Sequence, residues 1–101
     1  MIWAYILDDN GNPVPEPDTI RWAKWFENNG RHIGCDNIGD IRISTVFLGI
    51  DHSFDDGPPV LWETMIFGGK HDQYQERYRS REDAIAGHAR SVFMVRESED
   101  K

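Results

Sequence analysis

Two β-rich runs, residues 44–50 (Ser-Thr-Val-Phe-Leu-Gly-Ile) and 60–67 (Val-Leu-Trp-Glu-Thr-Met-Ile-Phe), constrain this chain more than any other feature. The segment that joins them, Asp51-His52-Ser53-Phe54-Asp55-Asp56-Gly57-Pro58-Pro59, is acidic and closes on Gly-Pro-Pro. Asp, Ser, Gly and Pro favour turns over ladders, so the pattern predicts two strands around a loop. The first strand reaches back to residue 41, where Ile41 and Ile43 alternate with Arg42 and Ser44. Val46-Phe47-Leu48 is then apolar on both sides. So is the second strand, with Val60, Trp62 and Ile66 facing one way and Leu61, Met65 and Phe67 the other. Two-sided apolarity marks a strand covered on both faces.

The remaining segments supply the cover. Residues 2–7 read as a short apolar strand, and Asp8-Asp9-Asn10-Gly11-Asn12-Pro13 as the turn after it. Pro13, Pro15 and Pro17 alternate, which makes residues 13–17 extended. Asp18 or Thr19 caps a helix that runs to about Asn28 and stops at Gly30, with Trp22, Ala23, Trp25 and Phe26 on one arc. Residues 31–35 predict a short strand that turns through 36–40. Residues 70–79 are polar, with Arg77, Arg79 and Arg81 at the spacing of an extended approach. Ser80 caps the last helix, over 80–96, with Asp83 three residues on. Ile85, His88, Ala89, Val92 and Val95 share its apolar arc, and Asp83, Gly87, Arg90 and Met94 the opposite one. The charged tail 97–101 is expected to fray. The sum is an α+β single domain over residues 1–101: an antiparallel three- to four-stranded sheet with two amphipathic helices, in the order β-α-β-β-β-α.

Length and charge narrow the function. A chain of 101 residues has room for one core. The formal charge of −7 opposes binding to nucleic acid, whose phosphates must be neutralised, although an acidic surface can also imitate DNA. Residues 70–96 carry six bases against four acids, so the charge is mixed and reads as solubilising. The single cysteine, Cys35, can form no disulfide within the chain and suits a reducing cytoplasm. No run reaches the roughly 18 apolar residues that a membrane helix needs, and residues 1–7 lack the basic start of a signal peptide.

Chemistry has few candidates. Asp51, His52, Asp55, Asp56, Glu63 and His71 are residue types that bind hard ions or zinc, and Asp51, His52 and Glu63 form the best trio for a metal-dependent enzyme. Their spacing fits no metal motif, so a solvated loop and no metal or cofactor is the preferred reading. Cys35 with His32 is a minimal nucleophile–base pair, nearby in sequence only. His88 reads as a packed residue with one ring nitrogen hydrogen-bonded. Gly68-Gly69 lacks a phosphate-binding pattern and reads as a strand-ending turn.

Trp22, Trp25-Phe26-Glu27, Gly39-Asp40 and residues 44–52 together form a long pattern. Gly57-Pro58-Pro59, residues 63–69, Arg77-Tyr78 and residues 82–88 complete it. It resembles a family of short phage and prophage proteins of unassigned function. The resemblance implies viral origin and synthesis in a bacterial host cytoplasm, and carries no catalytic residue. The expected function is therefore non-catalytic binding of a host or viral protein. A virion structural role and the metal-dependent enzyme are the alternatives. Two helices normally shield one face of a small sheet, so Phe47, Leu48 and Trp62 are expected at a contact between chains, a homodimer being the simplest form. In the competing arrangement, the N-terminal strand and residues 70–79 fold over that face and leave a monomer.

Overall fold

The computed structural model describes residues 3–99. Along the chain lie β1 (Tyr5–Leu7), β2 (Pro13–Pro15), α1 (Thr19–Asn28), β3 (His32–Ile38), β4 (Ile41–Phe47), β5 (Trp62–Phe67), β6 (Gln75–Tyr78) and α2 (Arg81–Glu99). Strands β3-β4-β5-β6 form one antiparallel meander, while β1 and β2 pair in a separate two-stranded ribbon. The α+β fold with a four-stranded antiparallel sheet and two helices is as expected.

Two strands were not foreseen as strands. Residues 13–15 are extended because of their prolines, and Pro13 and Pro15 pair opposite Leu7 and Tyr5 in a ribbon of only two strands, so their missing N–H groups can face outward. Residues 75–78 add the fourth strand of the sheet, antiparallel to β5. The second strand of the sequence reading, 31–35, continues to Ile38 and turns tightly into β4 through Gly39-Asp40. Gly39 has φ of +58°, the conformation a two-residue hairpin requires at its first central position.

Register sorts the side chains. Ile43 pairs with Ile66, Thr45 with Thr64 and Phe47 with Trp62, and directly paired residues share a face. Arg42, Ser44 and Val46 pair with Phe67, Met65 and Glu63 on the other face. Helix α2 lies on the first face, where Ile41, Ile43, Ile66 and Val95 form one buried cluster. It reaches the sheet through Ala84, Gly87, Ser91 and Val95, its small residues, and leaves Ile85 and Phe93 exposed. The apolar arc read from the sequence is therefore rotated in the fold. The reason is close approach: a Cβ at Gly87 would strike the Tyr78 ring, so only glycine lets the helix down onto β6.

Helix α1 closes the end of the sheet. The Asp18 carboxylate accepts from Ile20 N at 2.9 Å and Arg21 N at 3.3 Å, which satisfies orphan donors of the first turn. Trp22 Nε1 donates to the Tyr5 and Gly49 carbonyls, both at 3.1 Å, and ties the helix to β1 and to the chain just after β4. Trp25 meets Phe47 edge-on at 5.9 Å, and Phe47 meets Trp62 at 5.6 Å. Around these rings pack Tyr5, Leu7, Ile33, Tyr78 and Ala84. Phe47 is 0% and Trp62 1% exposed, and Leu48 is half-buried. The contact between chains expected of Phe47 and Trp62 is corrected accordingly: the N-terminal ribbon and α1 bury them within the chain itself.

Candidate functional site

The acidic loop is braced. Asp51 Oδ1 accepts from Ser53 N at 2.8 Å and Val60 N at 2.9 Å, and its Oδ2 accepts from Ser53 Oγ at 3.0 Å. One carboxylate thus holds both ends of the loop together. Partial burial pushes the Asp51 carboxyl up, but the donors from Val60 and Ser53, with Arg79 nearby, outweigh it and hold the group below its ordinary range. At the tip, Asp55 accepts from Gly57 N at 2.9 Å and from Arg79 at 3.1 Å, and these hold its carboxyl low as well. The Arg79 guanidinium also donates to the Pro58 carbonyl at 2.5 Å. On this frame stands Phe54, 100% exposed between Ser53 and Asp55-Asp56. A shallow cleft of about 250 Å³ opens beside it, between His52, Val60 and the Arg77 and Arg79 side chains.

The metal trio does not assemble. Asp51 spends its oxygens on the loop backbone. Glu63 lies on the uncovered sheet face, where it accepts from Arg77 Nε at 2.9 Å and from Gln75. His52 Nδ1 is buried without a hydrogen-bond partner. Among the described residues no group of three or more His, Cys, Asp or Glu is placed to hold an ion. Cys35 is exposed, and the His32 ring faces Arg42 at 3.5 Å, so no nucleophile–base hydrogen bond joins that pair.

The arrangement that sequence reading missed lies under α2. Asp36 Oδ2 meets His88 Nε2 at 2.7 Å, and His88 Nδ1 meets Thr45 Oγ1 at 2.7 Å. Thr45 Oγ1 meets Thr64 Oγ1 at 2.5 Å, and the Tyr78 hydroxyl donates to Thr64 Oγ1 at 3.0 Å. With His88 neutral, all donors run one way: Tyr78 to Thr64, Thr64 to Thr45, Thr45 to Nδ1, and Nε2–H to Asp36. The two ring nitrogens are both engaged, one more than expected. Glu76 lies beyond Tyr78, taking Tyr74 at 3.1 Å and Arg90 at 2.9 Å, and the Tyr78 hydroxyl is placed to serve Thr64 or Glu76. Burial, reinforced by the Glu76 carboxylate and opposed by the Thr64 bond, pushes the Tyr78 phenol up to about 12. Burial raises the Glu76 carboxyl, but bonds from Tyr78, Arg90 and Tyr74 outweigh it and hold the group low.

Carboxylate, imidazole and hydroxyl in that order is the connectivity of an activated nucleophile. Here the hydroxyl is sealed: Thr45 and Thr64 are both 0% exposed. A reacting carbonyl or phosphorus has no room to approach Thr45 Oγ1. The chain of bonds therefore fastens α2 across four strands, each polar group in it satisfied as burial demands. Its sequence signal was Thr45 and Thr64, polar residues at the same parity as Ile43 and Ile66. No family model, no curated protein and no solved structure matches this chain.

Proposed function

We propose that the chain is a small phage-derived accessory protein that acts non-catalytically, by binding a host or viral protein through the loop after β4. The observation that carries this reading is Phe54: a fully exposed aromatic on a loop held by Asp51, Asp55 and Arg79. An exposed ring on a mobile segment would mean little. On a braced loop it meets a partner with little ordering cost, and aromatic anchors of this kind dominate interface energy. Asp55 and Asp56 flank it, so the complementary surface is an apolar socket with a basic rim. The sealed Thr45 hydroxyl and the dispersed Asp51, His52 and Glu63 support binding over catalysis.

Affinity capture from bacterial host lysate, with wild type and Phe54→Ser compared quantitatively, tests the reading. A partner enriched by wild type and depleted at least tenfold by Phe54→Ser is the expected result. Equal recovery by both, or turnover of a peptide or phosphoester substrate by the purified chain, overturns it.

A further inference from the structure

We infer that the outward side of α2 is a self-association surface, on which two copies pair their helices antiparallel about a twofold axis at Ala89. The inference does not rest on the Phe54 reading. Helix α2 is apolar on two opposite sides. Ala84, Gly87, Ser91 and Val95 meet the sheet, while Ile85 and Phe93 stand 48% and 63% exposed on the outside, with the exposed Ala89 between them. At 3.6 residues per turn, Ile85, Ala89 and Phe93 lie within about 40° of one line along the helix, and Glu82 and Arg96 continue that line at either end. No described element covers it: of the other helices and strands, only β3, β4, β5 and β6 touch α2, and they do so from the opposite side.

The order of side chains along that line identifies the partner. It reads acid, apolar, small, apolar, base, and the same row reversed is its own complement. With the axis at Ala89, residues equally far before and after it lie opposite each other. Ile85 then meets the partner's Phe93, and Glu82 meets the partner's Arg96, once at each end of the seam. Neither Glu82 nor Arg96 makes an ion pair among the described residues, so both are free to bond across it. Arg90, beside the seam, is taken by Glu76 at 2.9 Å. Ala89 carries nothing beyond Cβ, which lets the two helix axes approach to about 8–10 Å.

Other arrangements of the same two helices fail. Parallel pairing sets Glu82 against Glu82 and Arg96 against Arg96. Moving the axis one turn on, to Phe93, sets Arg90 against the partner's Arg96 and Ala89 against the partner's Glu97. Moving it one turn back, to Ile85, leaves Phe93 opposite no residue of the partner's helix. Only the axis at Ala89 buries both large side chains and closes both ends with opposite charges. A twofold pair of this kind is complete with one surface and one partner, a second copy of the chain.

Sedimentation equilibrium on the full chain at tens of micromolar gives the first reading, and a dimer is expected. Ala89→Glu sets a carboxylate on the axis at an exposed helix position. It is expected to keep the far-UV spectrum and the cooperative thermal transition while sedimenting as a monomer. Glu82→Arg and Arg96→Glu each place like charges at both ends of the seam, and each is expected to weaken the dimer about tenfold. Mixed in equal amounts, the two variants carry opposite charges at both ends and are expected to form a heterodimer about as tight as the wild-type dimer. A monomeric wild type, a dimer whose affinity is unchanged by Ala89→Glu, or a mixture no tighter than the single variants each overturns the proposal.

Discussion

The two faces of the four-stranded sheet each carry residues of the other's kind. The face under α2 carries Thr45, Thr64, His88 and Tyr78 at its centre, with apolar clusters on either side. The uncovered face carries Val46, Met65 and the 39%-exposed Phe67 among Arg42, Glu63 and Arg77. Ile41, Ile43, Phe47, Trp62 and Ile66 make the covered face the more apolar one, yet polarity alone does not explain the hydroxyls and imidazole buried among them. What decides is satisfaction along the chain from Tyr78 to His88: each of its hydroxyls and ring nitrogens has a partner, and a fully bonded polar chain is compatible with burial, whereas Trp62 Nε1 on the same face is buried without one. The isolated Val46 and Met65, shielded in part by their long charged neighbours, are compatible with water.

The sharpest way to break this contrast is to delete a ring from the covered face. Trp62→Ala is expected to cost about 3–5 kcal/mol, because Phe47, Leu61 and Tyr78 cannot all close the gap. Chemical denaturation measures it. Phe67→Ser on the uncovered face is expected to change stability by about 0.5 kcal/mol or less. A comparable loss for both would mean that the open face is buried in the working molecule.

Next in size is the hydroxyl chain. Thr64→Val keeps the shape but leaves the Tyr78 hydroxyl and Thr45 short of a partner, and about 1–3 kcal/mol is expected to be lost. A neutral result would show that the bonds seen here do not fasten the helix.

Smaller effects are read by pH. The folded Tyr78 titrates near 12 against an ordinary 10.0, so its contribution is complete below pH 10 and fades as pH rises toward 12. Unfolding midpoints should fall across that interval, and Tyr78→Phe should flatten the fall. On the acid side Asp51 and Glu76 are held low, so their contributions are complete above the ordinary carboxylate range and fade as pH falls through their folded values. Asp51→Asn should remove part of that acid limb while sparing the alkaline one, since the loop and the sheet face are separate.

The sequence by itself determined most of the elements, and marked β2 and β6 only as extended. Alternation at Ile41 and Ile43, the turn residues Gly39 and Asp40, the Asp18 cap and the helical spacing of Trp22, Trp25 and Phe26 each act through neighbours a few residues away, and each was legible, although the turn was read as starting at residue 36 and the strand before it runs on to Ile38. The bracing of the loop was legible only in part: Asp51 and Gly-Pro-Pro announce a turn, but the reach of Arg79 from beyond β6 does not show in the chain order.

Tertiary structure alone decided which side of each element is inside. Phe47 and Trp62 sit on strands that are apolar on both faces, so alternation could not tell core from surface. The ribbon β1–β2 and Trp25 settled it by arriving from distant parts of the chain. Helix α2 buried its small residues because Gly87 permits contact with the Tyr78 ring, a steric fact about two segments nine residues apart in sequence but brought together by the sheet. Asp36, Thr45, Thr64, Tyr78 and His88 come from four strands and a helix, and a hydrogen bond has no meaning until both ends share a place. Local pattern fixes conformation because it acts over one or two turns of backbone; burial and polar pairing depend on which surfaces meet, and only the folded chain brings them together.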